Sequence, residues 1–275
     1  MPSKIKLRLF KQAVISLTIV FLFISPATKA DDSSLLVSGQ MDWLPFLMKD
    51  EAGKVYGLMY EILEKAVHKN GYTLEYRDLP WKRAVISLEK GKLDIICGIF
   101  WNESRAQKFL FSPPILRNEL HIFTNKPFKL EKLIDLQGKT GDHIRGGSYG
   151  DIFDNFIESG EARFVEVTDD NTAINRLVRG YSDFFIGTYI DTKIKLSKRG
   201  LEQSIIALPY VVDTVNVYFA YPNKGKKFHL YEQINQTLEQ MQHSGEISGL
   251  IQQYFNGTEI NPRRVLFTPE ELRAP

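Results

Sequence analysis

Two stretches of the chain decide its fold: LEKGKLDIICG at residues 88–98 and LVRGYSDFFIG at residues 177–187. Both carry a leucine, a basic residue, a glycine, an aspartate, an apolar run and a closing glycine at identical spacing. In each, a helix is predicted to end at the first glycine, Gly91 or Gly180, because glycine adopts positive φ at low cost. The apolar run that follows is typical of a short strand buried in a parallel sheet. The repeat therefore predicts two similar α/β lobes.

Further helix and strand patterns surround the repeat in both halves of the chain. Helix patterns that end in glycine occur in YEILEKAVHKNG at 60–71 and in YGDIFDNFIESG at 149–160. Strands are predicted within 119–126 and 214–227, and two helices separated by a glycine follow the second of them. Strands that alternate with helices in both halves indicate parallel α/β sheets.

The connection between the two lobes is predicted to consist of two strands. The chain leaves the first lobe near Glu119, builds the second lobe and returns near Asn216. Two crossing strands form a hinge, and a cleft between two lobes is a common place for a small ligand. The predicted boundaries are 31–119 with 217–265 for lobe 1, 120–216 for lobe 2 and 266–275 for a C-terminal tail.

The first thirty residues have the layout of a secretory signal peptide. Basic residues precede the apolar run AVISLTIVFLFI at 13–24, and Thr28 and Ala30 stand at the −3 and −1 positions of a cleavage site. The run is too short to cross a bilayer, which needs about twenty apolar residues. We therefore expect residues 1–30 to be removed on export to the periplasm.

Composition narrows the classes of function. The predicted signal peptide holds five of the 35 basic residues and none of the 33 acidic ones, so the mature chain is slightly acidic and indicates no nucleic-acid partner. Cys97 is the single cysteine, which excludes an intramolecular disulfide, and its apolar neighbours predict a buried residue. The five histidines are scattered, and we expect no cofactor or metal site.

Several short segments resemble one family in their order and spacing. They are PF at 45–46, YGLMYEILEKA at 56–66, ESRAQKFLFSPP at 103–114, DLQGKTGDHIRGGSYGD at 135–151 and GEISGLIQQYFNG at 245–257, together with the two copies of the repeat. This set resembles the periplasmic solute-binding proteins of the polar amino-acid ABC-transporter class, solute-binding family 3.

The resemblance implies a fold and a function. The fold is the type II periplasmic-binding-protein fold, with two Rossmann-like lobes joined by a two-strand hinge. The implied function is a monomer without catalytic activity that captures a small carboxylate-bearing ligand, an amino acid or a related compound. Its partner is the membrane permease of an ABC importer or a membrane receptor.

The resemblance also assigns two polar contacts. Arg105 falls on the arginine that grips a ligand carboxylate, and a planar guanidinium matches a carboxylate in two parallel hydrogen bonds. Gly147 and Ser148 fall on a loop that presents amides and a hydroxyl at the start of a helix. The alternatives are a solvated arginine at a helix start and an ordinary turn with a serine cap. A ligand that contacts both lobes only when the cleft is closed would stabilise the closed state.

Aromatic residues supply the remaining candidates for the cleft. Trp43, Trp81, Phe100 and Trp101 all stand near the predicted ends of strands, where the cleft loops of α/β lobes lie. The alternative for each is a plug of the hydrophobic core. Arg83 is a further candidate for an anionic contact, and its alternative is an exposed helix position.

The sequence departs from the family at the position that holds the ligand ammonium. Thr188 stands where binders of α-amino acids carry an aspartate, and Asp191 lies three residues further on. Phe100 and Trp101 replace small polar donors before the arginine. Because a buried ammonium without a partner is costly, these residues favour a carboxylate with a flat or apolar body. An amine can also be held on a tryptophan face.

Two other functions are compatible with the same resemblance. One is a periplasmic enzyme similar to the cyclohexadienyl dehydratases, which act on prephenate or arogenate, with Glu61 or Glu103 as the general acid. The other is a soluble sensor subunit for a membrane receptor. A transport protein and a sensor differ in the docking surface and not in the cleft, so the sequence does not separate them.

Overall fold

The structure, a computed structural model, describes residues 33–224, 227–256, 258 and 260–267. The predicted signal peptide at 1–30 and the tail beyond residue 267 lie outside these ranges. Among the described helices, none has the length and apolar character needed to cross a membrane.

The first part of the described chain alternates short strands with helices. Its elements are β1 (Ser34–Ser38), β2 (Met48–Lys49), β3 (Val55–Tyr56), α1 (Leu58–Lys69), β4 (Thr73–Tyr76), α2 (Trp81–Glu89), β5 (Ile95–Phe100), α3 (Glu103–Ala106), β6 (Phe109–Phe111) and β7 (Leu116–Thr124).

The second part repeats the alternation and ends in two helices. Its elements are β8 (Thr140–Ile144), α4 (Asp151–Ser159), β9 (Arg163–Val167), α5 (Asp170–Val178), β10 (Phe184–Thr188), α6 (Tyr189–Lys198), β11 (Ile206–Pro222), α7 (Phe228–His243) and α8 (Glu246–Phe255). Short 3-10 turns occupy Leu133–Leu136 and Pro262–Arg264.

One sheet runs through both parts, and its strand order is symmetric. The order is β4-β1-β5-β11-β7-β10-β8-β9, and β6 pairs with β11. Strands β4, β1 and β5 are parallel and form what we term the first half-sheet. Strands β10, β8 and β9 are parallel and form the second half-sheet. The antiparallel pair β7 and β11 joins the two half-sheets.

The symmetric order confirms the two α/β units predicted from the repeat. The first copy forms α2 and β5, and the second copy forms α5 and β10. Each helix ends two residues before its predicted glycine, and Gly91 and Gly180 have φ of +64° and +73°. Glycine is favoured there because a Cβ would be strained at positive φ.

The repeated aspartates have the same task in both copies. The Asp94 carboxylate accepts the Leu36 N–H of β1 at 2.9 Å, and the Asp183 carboxylate accepts the Thr140 N–H of β8 at 2.8 Å. Each aspartate thus ties the start of its strand to the neighbouring parallel strand. The aspartate of the repeat therefore fixes where β5 and β10 begin, and with it where their far ends lie.

Helices cover both faces of each half-sheet. The first half-sheet packs α1, α7 and α8 on one face and α2 on the other. The second half-sheet packs α4 on one face, with α5 and α6 on the other. Burial of these apolar faces supplies the main stabilisation, at about 25 cal/mol per Å². Cys97 is fully buried in β5 as predicted, and burial raises the pKa of its thiol.

The two joining strands are longer than the sequence patterns predicted. β11 begins at Ile206, upstream of the predicted 214–227, and register shifts between Ala207 and Asp213 accommodate Pro209 at the exposed start of the strand. Proline is tolerated at such irregularities because it cannot donate to the ladder. The predicted lobe boundaries at 119 and 216 fall within these strands and remain a prediction.

Glycine is required at the end of the first repeat for a steric reason. Gly98 has φ of +91°, and a Cβ there would lie 2.5 Å from the Trp43 ring. Gly71 has φ of +79° but no atom within 4 Å of such a Cβ. We predict that Gly71→Ala lowers the free energy of unfolding by about 1–2 kcal/mol. Gly98→Ala should lower the free energy of unfolding by about 1–3 kcal/mol more than Gly71→Ala does, because its Cβ would also clash with the Trp43 ring.

Urea unfolding of the two variants measures this difference. The comparison isolates the contact with Trp43, since both substitutions carry the same backbone penalty. If the free energy of unfolding decreases equally in the two variants, a Cβ at residue 98 does not clash with the Trp43 ring.

Candidate functional site

A cavity opens between the half-sheets, at the edge where β5, β8 and β10 end. The space between its lining side chains is about 570 Å³, a volume that includes space open to solvent. The loops at the carboxyl ends of strands leave such crevices in α/β proteins. The lining residues are Gln40, Trp43, Trp81, Gly98, Ile99, Phe100, Arg105, Ile144, Gly147, Ser148, Tyr149, Asp170, Gly187 and Thr188.

Most of the residues predicted to bind a ligand line this one cavity. They are Trp43, Trp81, Phe100, Arg105, Gly147, Ser148 and Thr188. Trp101 does not line it and leaves 42% of its surface exposed, because successive strand residues point to opposite faces and Phe100 takes the inward position. Arg83 is exposed on α2, outside the lining. That these residues contact a ligand remains a prediction.

Aromatic side chains form a packed wall on the side of the first half-sheet. Trp43 is buried between Phe46, at 4.6 Å between ring centroids, and Phe100, which it meets edge-on at 6.2 Å. Gly98 leaves the space that the Trp43 ring fills. Because Trp43 is part of the core as well as of the cavity, its position is fixed before any ligand arrives.

Arg105 is positioned by the short helix α3, which starts three residues after the end of β5. The Asn102 side chain caps α3 by accepting the Arg105 N–H at 2.7 Å. The guanidinium folds back, so that Nη1 donates to the Phe100 carbonyl at 2.7 Å and Nη2 to the Gly146 carbonyl at 3.4 Å. A guanidinium has five N–H donors. The remaining donors of Arg105 find no acceptor among the described residues.

The charge of Arg105 is buried without a direct counterion. Only 7% of the residue is exposed, and burial lowers its pKa to about 10, while Asp154 opposes this effect. Arg105 therefore stays charged at neutral pH. Within the described residues no carboxylate lies within 4 Å of it. The Trp81 ring, 5.8 Å from the guanidinium carbon, provides a weak cation–π contact.

The loop between β8 and α4 faces Arg105 from the second half-sheet. The Gly146 carbonyl accepts hydrogen bonds from Arg105 and, at 2.9 Å, from the Trp81 indole. The Gly147 N–H is used within the loop, where it donates to the Ile144 carbonyl at 2.8 Å. The Ser148 N–H has no acceptor among the described residues, so it is a loop amide that is available to an anion.

The Ser148 hydroxyl has partners that the sequence did not indicate. It donates to Asp154 Oδ2 at 2.5 Å and accepts the Asn102 amide at 2.9 Å. Its single proton is therefore committed to Asp154, whereas we expected it to be offered to a ligand. Asp154 Oδ1 also accepts the Tyr149 N–H at 2.8 Å. The hydroxyl thus links Asn102, from the loop after β5, to the start of α4.

The two carboxylates considered as general acids do not line the cavity. Glu61 lies on α1, where it accepts the Tyr254 hydroxyl at 3.1 Å and stands 3.7 Å from Lys65. Glu103 is exposed on α3. Met59, on the same helix as Glu61, is fully buried in the core.

A buried charge cluster lies behind the cavity on the second half-sheet. Lys195 donates to Asp170 at 2.6 Å and to Asp191 at 2.7 Å. Burial would lower the pKa of Lys195, but the two carboxylates raise it above its ordinary value. Burial raises the pKa of Asp191 to about 8, against the opposing effect of Lys195 and with a further increase from Asp170. Asp191 also accepts the Leu44 N–H at 2.6 Å and thereby joins α6 to the loop after β1.

Sequence reasoning missed Asn102, Asp154 and Asp170 as residues of the cavity or its support. Asn102 was detectable, because an asparagine three residues before Arg105 is a typical helix cap. Asp170 was not, since either aspartate of the pair at 169–170 could cap α5. Asp169 is the cap, with its carboxylate accepting the Thr172 N–H at 2.7 Å.

A comparison with known families identifies the fold. The family model for bacterial extracellular solute-binding proteins, family 3, matches residues 35–257.

The chain belongs to this family. The match spans both half-sheets and the cavity between them, so the resemblance stated from the sequence is confirmed. The predicted two-lobed α/β fold is confirmed as well, since solved periplasmic binding proteins superpose on the chain.

Relatives of this solute-binding protein are similar to it over different shares of its length. The probable amino-acid-binding protein YxeM of Bacillus subtilis is 23% identical over 232 residues, which are 84% of this chain and 87% of that protein. A probable amino-acid ABC transporter-binding protein of Haemophilus influenzae is 27% identical over 112 residues, 38% of this chain and 44% of that protein. The P235GK mutant of ArgBP from T. maritima has a TM-score of 0.71 at 22% identity, over 81% of this chain and 95% of that chain. At this identity the structural likeness shows the fold alone.

The raised pKa of Asp191 predicts a pH dependence of stability. The folded protein holds a proton on Asp191 that the unfolded chain, with an ordinary pKa of 3.8, releases at lower pH. The stabilisation is therefore complete below about pH 4 and is lost as pH rises through about 8. We expect the free energy of unfolding to fall over this window by at most about 1.4 kcal/mol per pH unit from this group.

Urea unfolding at pH 5, 7 and 9 tests the assignment with Asp191→Asn, which imitates the protonated side chain. The variant should show a smaller decrease in stability between pH 5 and pH 9 than the natural protein. Parallel pH profiles for the two proteins would contradict a proton held on Asp191 in the folded protein.

Proposed function

We propose that this solute-binding protein captures a small carboxylate-bearing solute in the cavity and presents it to the permease of an ABC importer. Membership of the family supports solute binding outside the cytoplasm, and the predicted signal peptide supports export to the periplasm. The relative from Haemophilus influenzae, named as an ABC transporter-binding protein, supports delivery to an importer. We also propose that the protein acts as a monomer.

The buried guanidinium of Arg105 is the observation that carries this proposal. A buried charge without a counterion is unfavourable. An anion that pairs with it therefore forms a stronger interaction than the same pair would form in water. Arg105 is fixed by two carbonyls, and its remaining donors are free among the described residues. A carboxylate that enters the cavity would receive two parallel hydrogen bonds from one preorganised group.

The second half-sheet supplies the other side of the anion site. The free Ser148 N–H lies just before α4, and the start of a helix favours negative charge. A carboxylate held between Arg105 and this loop contacts both halves at once. Since a ligand shifts a conformational equilibrium only by binding one state better, this geometry favours the closed protein.

The remaining walls favour an apolar or flat body on the solute. Trp43, Phe100 and Ile144 line the cavity together with Trp81 and Tyr149. Such a cavity gains its affinity from apolar burial and its orientation from the few polar groups. A micromolar complex requires about 8 kcal/mol, which an arginine–carboxylate pair and aromatic contacts can supply.

The positions of the two carboxylates considered as general acids favour binding over catalysis. Glu61 and Glu103, the residues considered for a dehydratase, lie outside the cavity. The proposed function is therefore that of a binding protein. Capture of a permease, in contrast to a receptor, from detergent-solubilised membranes distinguishes transport from sensing.

Replacement of Arg105 tests the anion site. We predict that Arg105→Gln weakens binding of the solute roughly 100-fold or more, because charge-assisted hydrogen bonds contribute about 1.5–3 kcal/mol each. The measurement is a thermal-shift panel of amino acids, keto acids, aromatic acids and polyamines, followed by calorimetry with the solute that stabilises most. Arg105→Lys should also bind weakly, since an ammonium cannot form the two parallel bonds.

Arg83→Gln is the matched control, because Arg83 is exposed and lies outside the cavity. It should bind the same solute as the natural protein does. Undiminished binding by a folded Arg105→Gln variant would contradict the proposed function.

A further inference from the structure

We propose that Lys195 takes the position at Asp170 that a cationic group of a solute would otherwise occupy, and that the cavity therefore selects carboxylates without an amine. This inference rests on the proposed function and adds the specificity of the same cavity. It makes Lys195 a specificity-determining residue, although its side chain does not line the cavity.

The ion pair between Lys195 and Asp170 closes the acidic side of the cavity. Among the residues that line the cavity in the described structure, Asp170 is the single carboxylate. Lys195 reaches it from α6 and donates to its Oδ2 at 2.6 Å. Only 8% of Asp170 and 5% of Lys195 are exposed, so water does not compete for this pair. The protein thus provides the cation that a buried carboxylate requires.

Lys195 cannot release Asp170 to a solute, because its other carboxylate does not replace it. Lys195 also donates to Asp191 at 2.7 Å. Burial raises the pKa of Asp191 to about 8, and a hydrogen bond with Asp170 adds to this increase, so Asp191 holds its proton at neutral pH. Asp170 is then the ionised partner of Lys195. A solute amine that displaced Lys195 would leave a buried ammonium without a counterion, which is unfavourable.

The carbonyl acceptors beside Arg105 have donors as well. The Phe100 carbonyl accepts Arg105 Nη1, and the Gly146 carbonyl accepts Arg105 Nη2 and the Trp81 indole. In an α-amino acid the ammonium is bonded to the carbon next to the carboxylate, so it would enter this region close to the guanidinium. Like charges at close range repel each other. Within the described lining, no ionised acceptor is free to offset this repulsion.

The tryptophan faces of the cavity are already in use. The Trp81 ring lies 5.8 Å from the guanidinium carbon of Arg105, so this ring has a cation beside it. Only 6% of Trp43 is exposed, because Phe46 and Phe100 cover its ring. These rings form apolar walls that fit an uncharged body. The solute class that fits is an amine-free carboxylate with an aromatic or branched apolar body.

Pairs of solutes that differ only in the amine test this inference. The probes are 3-phenylpropanoate with L-phenylalanine, indole-3-propanoate with L-tryptophan and 4-methylpentanoate with L-leucine, measured by thermal shift and calorimetry at pH 7 on the mature chain. We expect the natural protein to bind the amine-free member of at least one pair roughly 10- to 100-fold more tightly than the amino acid. The reason is that a buried ammonium loses its hydrogen bonds to water and finds no acceptor in exchange.

Lys195→Met tests the role of the lysine. It removes the ammonium and leaves Asp170 as a buried carboxylate without a cation, so an amino acid should gain at least about 10-fold in affinity relative to its amine-free counterpart. Lys198→Met is the matched control, because it makes the same substitution at an exposed position of α6 outside the cavity. It should keep the preference of the natural protein.

A second variant is needed because loss of one partner from a buried ion pair is strongly destabilising. Thr188→Asp adds a carboxylate to the wall of the cavity and removes no charge from the cluster. Thr188 is the cap of α6, a position that aspartate and asparagine both fill well. Thr188→Asp should shift the preference toward the amino acid, whereas its uncharged control Thr188→Asn should not.

The outcomes separate this inference from the proposed function. A natural protein that binds the amino acids as tightly as their amine-free counterparts overturns the role of Lys195 and leaves the carboxylate site intact. An unchanged preference in Lys195→Met, if its melting transition shows that it folds, does the same, and if it does not fold, Thr188→Asp decides in its place. If none of the six probes binds, this inference is wrong, and the Arg105→Gln comparison still decides the proposed function.

Discussion

The structure depends on keeping one guanidinium buried and fixed at the end of a strand. Arg105 is held by the carbonyl of the strand that precedes it and by a carbonyl from the opposite half-sheet. Neither partner neutralises its charge. A protein can maintain such a group only if the surrounding elements are rigid, because an unpaired charge would otherwise move toward water. The cap at Asn102, the packed Trp43 and the repeat that fixes β5 all contribute to this rigidity.

The internal symmetry explains why the cavity lies where it does. Each copy of the repeat uses an aspartate to fix the start of a strand and a glycine to close it. The closing glycines, Gly98 and Gly187, both line the cavity. The two half-sheets thus present equivalent strand ends to each other across the joining pair β7 and β11. Side chains near these ends then make the two sides chemically different, with Arg105 after β5 on one side and Asp170 after β9 on the other.

Much of the fold could be predicted from the sequence, because its signals are local. The strands were predicted from the glycines at helix ends and from the apolar runs that follow an aspartate. Their grouping into two similar units was predicted from the repeat at fixed spacing. The partners of polar side chains could not be predicted, because they depend on loop conformation. Ser148 was expected to face a ligand, yet its proton goes to Asp154, six residues further along the chain. The sequence does not show which of Asp169 and Asp170 caps α5. The backbone conformation at the start of the helix makes Asp169 the cap and Asp170 the first helical residue.

The central claim is that Arg105 and the loop before α4 receive one carboxylate between the half-sheets. The most direct measurement is a crystal structure of the protein with the solute that raises its melting temperature most. The account predicts the solute carboxylate in two parallel hydrogen bonds with Arg105, at about 2.7–2.9 Å, and in contact with the Ser148 N–H. A solute bound elsewhere, or bound in the cavity with Arg105 still directed only at protein carbonyls, would contradict it.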